Sequence, residues 1–224
     1  MSLRASFGSP IAHQCSSEQS LRRLDSLRHI VRMFFLIKPS SKRIQRFIDS
    51  QRQAPFNYAE VGASLGPLPP GYAVNHGRIQ LGQGEAAFEQ AVEALRNWKM
   101  FDLGWASVCW PDAPIEVGTT VAVLARHSGF WSLHPARIVS LIDEDDGRKR
   151  RAGFAYGTLE AHGMQGEETF IIEWHHDDDS VWYDLRSFSR PKQMLTKLGY
   201  QIARMLQKRF ARESTQAMLK AVNG

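Results

Sequence analysis

Cysteine is scarce: the 224 residues hold only Cys15 and Cys109, far apart and in unlike surroundings. They offer neither a disulfide framework nor a metal-binding spacing, so a reducing cytosol is the default expectation. Long apolar runs are missing too. The best candidate, residues 30–37, is interrupted by Arg32 and falls far short of the ~18 residues a membrane-spanning helix needs. There is no P-loop, dinucleotide fingerprint, Ser–His–Asp set or metal-spaced His/Glu motif. Chemistry that announces itself in linear sequence is thereby excluded; catalysis assembled from scattered positions is not. Internal repeats and low-complexity tracts are also absent, and no cofactor is implied.

The apolar content of 43% and aromatic content of 10% suffice for a well-buried core, and the length fits one domain with a tail. The net charge of +5 is unevenly spread. Up to Arg52 there are ten basic residues against Glu18, Asp25 and Asp49, and the remainder carries eighteen basic and twenty acidic side chains. A surface built for nucleic acid should stay basic in the folded body. This one does not, so no nucleic-acid partner is expected.

Residues 1–32 read as an N-terminal extension, rich in Ser and Arg and poor in acids. An organellar transit peptide has this composition, as does a disordered tail. The preferred reading starts the chain at Met33, with a single domain over residues 33–224 and a cytoplasmic location; a transit peptide would make it organellar. Ser40 or Ser41 then caps a helix whose apolar side is Ile44, Phe47 and Ile48.

Beyond this helix, residues 56–70 are loop-like, punctuated by Gly62, Gly66 and prolines. Residues 72–81 form a strand candidate. Over 82–101, Phe88, Val92 and Leu95 recur at helical steps, with Glu85, Glu89 and Glu93 on the polar side. The period then switches to two. Strands are predicted at 104–110, 119–127, 135–142, 151–159, 167–175 and 180–189, with a charged turn at 143–151 around Gly147. Six strands with short connections make an antiparallel meander. A long amphipathic helix follows Pro191 and runs to about Val222. Its apolar stripe, including Leu198, Ile202 and Leu206, needs a partner surface, and the concave face of the sheet is the available one.

Strand, short helix, six strands, long helix is the order of the helix-grip architecture of the START and birch-pollen-allergen (SRPBCC) superfamily, which this chain resembles. More closely, FNYAEVGAS at 56–64, LPPGY at 68–72, LGQGEAAFEQAVEALRNWKMF at 81–101, VWYDLRSFSRP at 181–191 and above all GTL-x-x-H-x-x-x-GEE-x-F at 157–170 are similar to the uncharacterised protein family 0548. The resemblance covers nearly all of residues 33–224. It implies an α+β helix-grip fold, a curved antiparallel sheet of six or seven strands wrapped around the long helix. The wider superfamily binds lipids, hormones and polyketides and includes some cyclases and hydrolases, so fold alone does not choose among them.

Candidate site residues follow from strand parity. Phe154, Tyr156 and Thr158 share one face, and Gly153, Ala155 and Gly157 the other. A small face suits close packing by another element. Walls of a cavity are expected from Trp105, Val121, Val123, Phe154, Tyr156, Thr158, Leu198, Ile202 and Leu206, with polar anchoring by some of His127, His162, Glu167 and Arg190. His162 and Glu167 are the candidate catalytic pair; the competing role, preferred, is turn stabilisation, with Glu167 or Glu168 accepting from Arg190. Arg126 with His127, or Arg186 with Arg190, would grip a ligand anion at the rim, unless they pair with Glu173 or Asp184. The cluster His175–Asp179 reads as a solvated hairpin loop, and no metal is expected. The expected function is binding of an apolar or amphipathic small molecule between sheet and helix. The alternatives are a cyclase- or hydrolase-type enzyme and a solid-cored interaction protein docking on a partner or a membrane surface.

Overall fold

A computed structural model describes residues 33–127, 129–192 and 197–224, with only the backbone course given for 197–200. Expectations for residues 1–32 fall outside this range. In chain order the elements are β1 (Phe34–Phe35), α1 (Ser41–Gln51), β2 (Ala73–Gln83), α2 (Gly84–Arg96), β3 (Ala106–Cys109), β4 (Thr120–His127), β5 (Phe130–Asp145), β6 (Lys149–Thr158), β7 (Met164–His175), β8 (Ser180–Pro191) and α3 (Lys197–Asn223). The main sheet runs β2-β8-β7-β6-β5-β4-β3, antiparallel throughout, and the two-residue β1 adds to β5. It is a curled half-barrel gripping the C-terminal helix, as expected.

The order follows from the connections. Strands β3 to β8 are joined by short links and stack as consecutive hairpins. Strand β2 precedes them and pairs with β8 from Ala73↔Ser189 to Gln83↔Ser180. The charged turn proves shorter than its sequence suggests. Asp143 and Glu144 extend the ladder opposite Ala152 and Arg151, and the bend closes around Gly147 at φ 79°, while the Asp146 carboxylate accepts the backbone N–H groups of Arg148 (2.9 Å) and Lys149 (2.8 Å).

Strand β5 begins five residues earlier than the expected 135. Pro135 obscures that start, because proline usually argues against a central strand. Here its carbonyl accepts Leu159 N–H at 3.2 Å. Its nitrogen lies on that same edge, one residue before the β6 ladder starts at Ala136↔Thr158, so no ladder bond to β4 is lost.

Two apolar clusters sit on opposite faces of the sheet. The larger joins Phe154, Phe170, Ile172, Tyr183 and Leu185 on the concave side to Phe88 and Leu95 of α2 and Met218 and Val222 of α3. The smaller packs Ile44 and Ile48 of α1 on Ala122, Leu124 and Leu133, behind β4 and β5, so the apolar side expected of α1 does meet the body.

Helix α3 crosses β2 closely. A Cβ on Gly77 would stand 3.1 Å from the Ala211 carbonyl oxygen and 3.3 Å from Thr215 Cγ2. Gly77→Val is therefore expected to destabilise the fold by about 1–3 kcal/mol through overpacking, read as a lower urea midpoint. A variant as stable as wild type would mean the helix is not held at this distance.

The buried face of α3 includes Ala211, Ser214, Thr215, Met218 and Val222, spaced by three and four residues. Extended backwards, that spacing reaches Phe210, Gln207, Leu206 and Ala203, while Ile202 (49% exposed) and Met205 (63% exposed) point away. The expectation that Ile202 lines the interior is corrected by this geometry. An apolar stripe chosen by residue type misses a contact face partly built of Ala, Ser, Thr and Gln.

Candidate ligand-binding cavity

Between the concave face and the first half of α3 lies a cavity of about 210 Å³. Its apolar wall comes from Phe101, Val123, Ala125, Ala136, Leu206 and Phe210. Phe101 closes a short 3-10 turn, Lys99–Phe101, which follows Trp98 in a left-handed conformation at φ 54°. That turn brings the Phe101 ring to 5.0 Å from Phe210. Trp105, also in the lining, donates its indole N–H to Glu213 (2.6 Å) and carries the Arg209 guanidinium 4.6 Å above its ring.

Polar groups line the cavity from β4 to β7. The Tyr156 hydroxyl donates to Glu168 Oε2 at 2.7 Å. Burial is the main influence on the Glu168 carboxyl and pushes its pKa up to about 7, the Tyr156 hydrogen bond opposing it. Tyr156 is raised well above the ordinary tyrosine value, first by burial and then by the neighbouring carboxylate.

His162 Nδ1 lies 2.9 Å from the Met164 backbone nitrogen and 3.1 Å from the Met164 carbonyl oxygen, accepting from the first or donating to the second according to the ring's tautomer. Burial takes its pKa down to about 4. The His134 ring stands 5.0 Å from that of His162. Its pKa is also held well below the usual value, by burial first and then by His162 and His127. A hydrogen-bonded chain links His127 Nε2 to Ser132 Oγ and Ser132 Oγ to His134 Nε2, each at 2.7 Å. The other nitrogen of His134, Nδ1, is buried and has no partner.

Adjacent glutamates serve opposite sides of the sheet. In a strand, side chains alternate. Glu168 keeps parity with Phe170 and Ile172 and reaches the cavity. Glu167 is opposite Gly157, and its carboxylate accepts from Tyr58 O–H (2.9 Å), Gly62 N–H, Ser64 N–H (3.3 Å) and Ser64 O–H (2.7 Å). It is thus the anchor for the loop between α1 and β2. Gly157 makes room for this, since a Cβ there would fall 2.0 Å from the Tyr58 oxygen. The small face expected on β6 is indeed where another segment packs closely.

The structure brings Trp105, His127, Tyr156, Thr158, His162 and Glu167 together around the cavity, with Val123 and Leu206 of the expected walls, although the Glu167 carboxylate is taken up by Tyr58, Gly62 and Ser64. The Thr158 hydroxyl is committed to Asn57 Oδ1 at 2.6 Å and to Gly166 N–H at 3.0 Å. Phe154 is 1% exposed and sits beneath Trp98 and Phe170 in the core, as Val121 does in the same cluster. Arg190 bonds Gln165 at 3.1 Å and stacks 4.3 Å over Tyr72, outside the lining. The Leu198 side chain lies outside the described residues. His162 and the Glu167 carboxylate are not paired; the carboxyl on the cavity side is Glu168.

Strand parity with Phe170 and Ile172 was the signal that singles out Glu168. His134 was missed because the predicted strand began one residue after it. Glu173 and Asp184 find Arg78, Lys149 and His76 as partners, not the rim arginines considered for them. In the hairpin loop, His176 meets Asp145 at 3.3 Å and Asp179 accepts the Trp174 indole N–H at 2.8 Å. Among the described residues no group of His, Cys, Asp and Glu converges on a metal position, and no helix is long and apolar enough to cross a membrane.

The family profile described as "Domain of unknown function (DUF1990)" matches residues 57–217. The chain belongs to this DUF1990 family. A UPF0548 protein of Dictyostelium discoideum is 39% identical over 208 residues, covering 85% of this chain and 96% of its own length. A UPF0548 protein of Deinococcus radiodurans is 34% identical over 201 residues, covering 84% and 98%. Among solved structures, norcoclaurine synthase from Thalictrum flavum is similar at 12% identity with a TM-score of 0.42, over 67% of this chain and 86% of that one. The DUF1990 match spans the cavity strands, the Glu167 anchor and most of α3.

Proposed function

We propose that this DUF1990 protein is a cytosolic binder of a small apolar or amphipathic molecule, held between the sheet and α3. The observation that carries the reading is the cavity itself. An apolar wall faces a few convergent polar groups, which is the composition of small-molecule sites. A solid-cored interaction protein would have filled this space. At about 210 Å³ it is somewhat larger than an engineered cavity of about 150 Å³ that holds benzene. The cargo is then one or two rings, or a short alkyl chain, with a polar end at Tyr156, Glu168, His134 and His162.

Native mass spectrometry of protein purified from its own host tests this. A reproducible co-purified metabolite is expected, and consistently bare protein counts against the reading. A second, catalytic reading has one specific support: Glu168 stands in the cavity with a pKa near neutrality, the range suited to a general base. If it holds, Glu168→Gln protein retains a species of different mass from that on wild type. The same species on both favours the carrier.

A further inference from the structure

We infer that the free edge of β2 takes up an extended acidic segment of a partner protein as a further strand, gripped by a basic row on α3. This surface is separate from the cavity and does not depend on the binding reading above.

Among the described residues β2 ends the sheet, with β8 as its one neighbour. In an antiparallel edge strand alternate residues bond the neighbour, and the others turn N–H and C=O outward. The Val74 carbonyl is one of the outward groups, since it accepts Arg204 Nη2 at 3.4 Å. His76 and Arg78 carry the next ones. Their side chains are spent on the convex face, His76 on Asp184 at 2.8 Å and Arg78 on Glu173 and Asp184 at 2.8 and 3.1 Å. What they offer at the edge is backbone, a template for one more strand.

Helix α3 runs beside this edge in the same direction. Arg204 meets Val74, Ala211 and Thr215 border Gly77, and Asn223 donates to the Leu81 carbonyl at 2.8 Å. Between strand and helix lies a groove of about 490 Å³, walled by residues 74–78 on one side and by Arg204, Lys208 and Arg212 on the other. Among the described residues its lining holds no Asp or Glu.

The spacing of that row fits a strand. Steps of four residues advance about 6 Å along a helix, and alternate side chains on one face of a strand stand about 6.6 Å apart. A segment laid on β2 with a carboxylate at every second position meets the row in step. Like charges four apart on a helix repel one another, and carboxylates relieve this. A second copy pairing through the same edge would instead bring two such rows together. Nucleic acid would match the charge but leave the outward backbone groups unanswered, and the folded body as a whole is not basic.

Anisotropy titration of the full chain with a short labelled peptide alternating glutamate and valine, against its lysine–valine counterpart, tests this. The glutamate peptide is expected to bind at least roughly tenfold more tightly and to slow hydrogen exchange at the His76 and Arg78 amides. Lys208→Glu combined with Arg212→Glu, both exposed positions, should weaken that peptide at least roughly tenfold without weakening its counterpart. The peptide pair and the two amides, read on wild-type protein, keep the test decisive if the variant folds poorly. Equal affinity for the two peptides, no binding of either, or binding that leaves both amides unprotected overturns the inference. So does a single-stranded oligonucleotide that binds more tightly than the glutamate peptide, or a dimer of the free chain that already protects both amides.

Discussion

Glu167→Ala is expected to remove about 3–5 kcal/mol of stability, because it strips a buried carboxylate from a set of donors that have no other partner. Tyr58, Gly62 and Ser64 all donate to that one group, and Glu167 is 2% exposed. Stability of a domain this size is only about 5–15 kcal/mol, so the loss is a large share of the whole. Urea denaturation measures it as a drop in midpoint at unchanged slope. Glu168→Ala, one residue along, should show no such collapse, since it empties a cavity position and unpairs one phenol. If Glu167→Ala stays within about 1 kcal/mol of wild type, the loop is not anchored as described.

Glu168 and His162 should give opposite pH dependences. The Glu168 pKa rises from an ordinary 4.5 to about 7 on folding, through burial. The folded state therefore holds this proton more tightly, and between about pH 4.5 and 7 the unfolded chain releases it first. Stability from this group is full at the acid end and is lost as pH rises, by about 3 kcal/mol in all. His162 falls from 6.5 to about 4, again through burial. Its neutral form is favoured by the fold, so stability is lost as pH falls through that window, by about the same amount.

In wild-type protein the two slopes largely cancel between about pH 4.5 and 6.5. Glu168→Gln removes one of them. Relative to wild type, its stability should climb by about 3 kcal/mol from pH 4.5 to 7, and His162→Gln should move the other way. Thermal melts across that range check both. A difference between Glu168→Gln and wild type that does not change with pH would show that the carboxyl is not held in its neutral form.

Much of the architecture was legible because period-two and helical patterns are local. The six-strand meander, α2 and the long final helix all emerge where the residue types place them, and the loop over 56–70 does too. What sequence could not give was set by tertiary partners. β1 is two residues long and exists only because β5 extends past the end of β6. Ile202 looks like core and faces solvent, since the cavity side of α3 uses Ala203 and Gln207. The candidate pair His162 and Glu167 has the residue types for proton transfer, but one step along a strand reverses the face. Glu167 went to a loop and Glu168 to the interior, a distinction that depends on which side of β7 is concave. Local pattern shows the alternation but not the sign of the curvature.

Strand β2 ends at Gln83 and its sole neighbour in the sheet among the described residues, β8, begins only at Ser180. About a hundred residues must therefore be synthesised before the first long strand meets its mate, and pairing across so wide a separation is slow because the intervening chain must first be confined. The hairpins from β3 to β8 face no such delay. Closing the seam where β2, β8 and α3 meet therefore carries the largest loop-closure cost in this sheet.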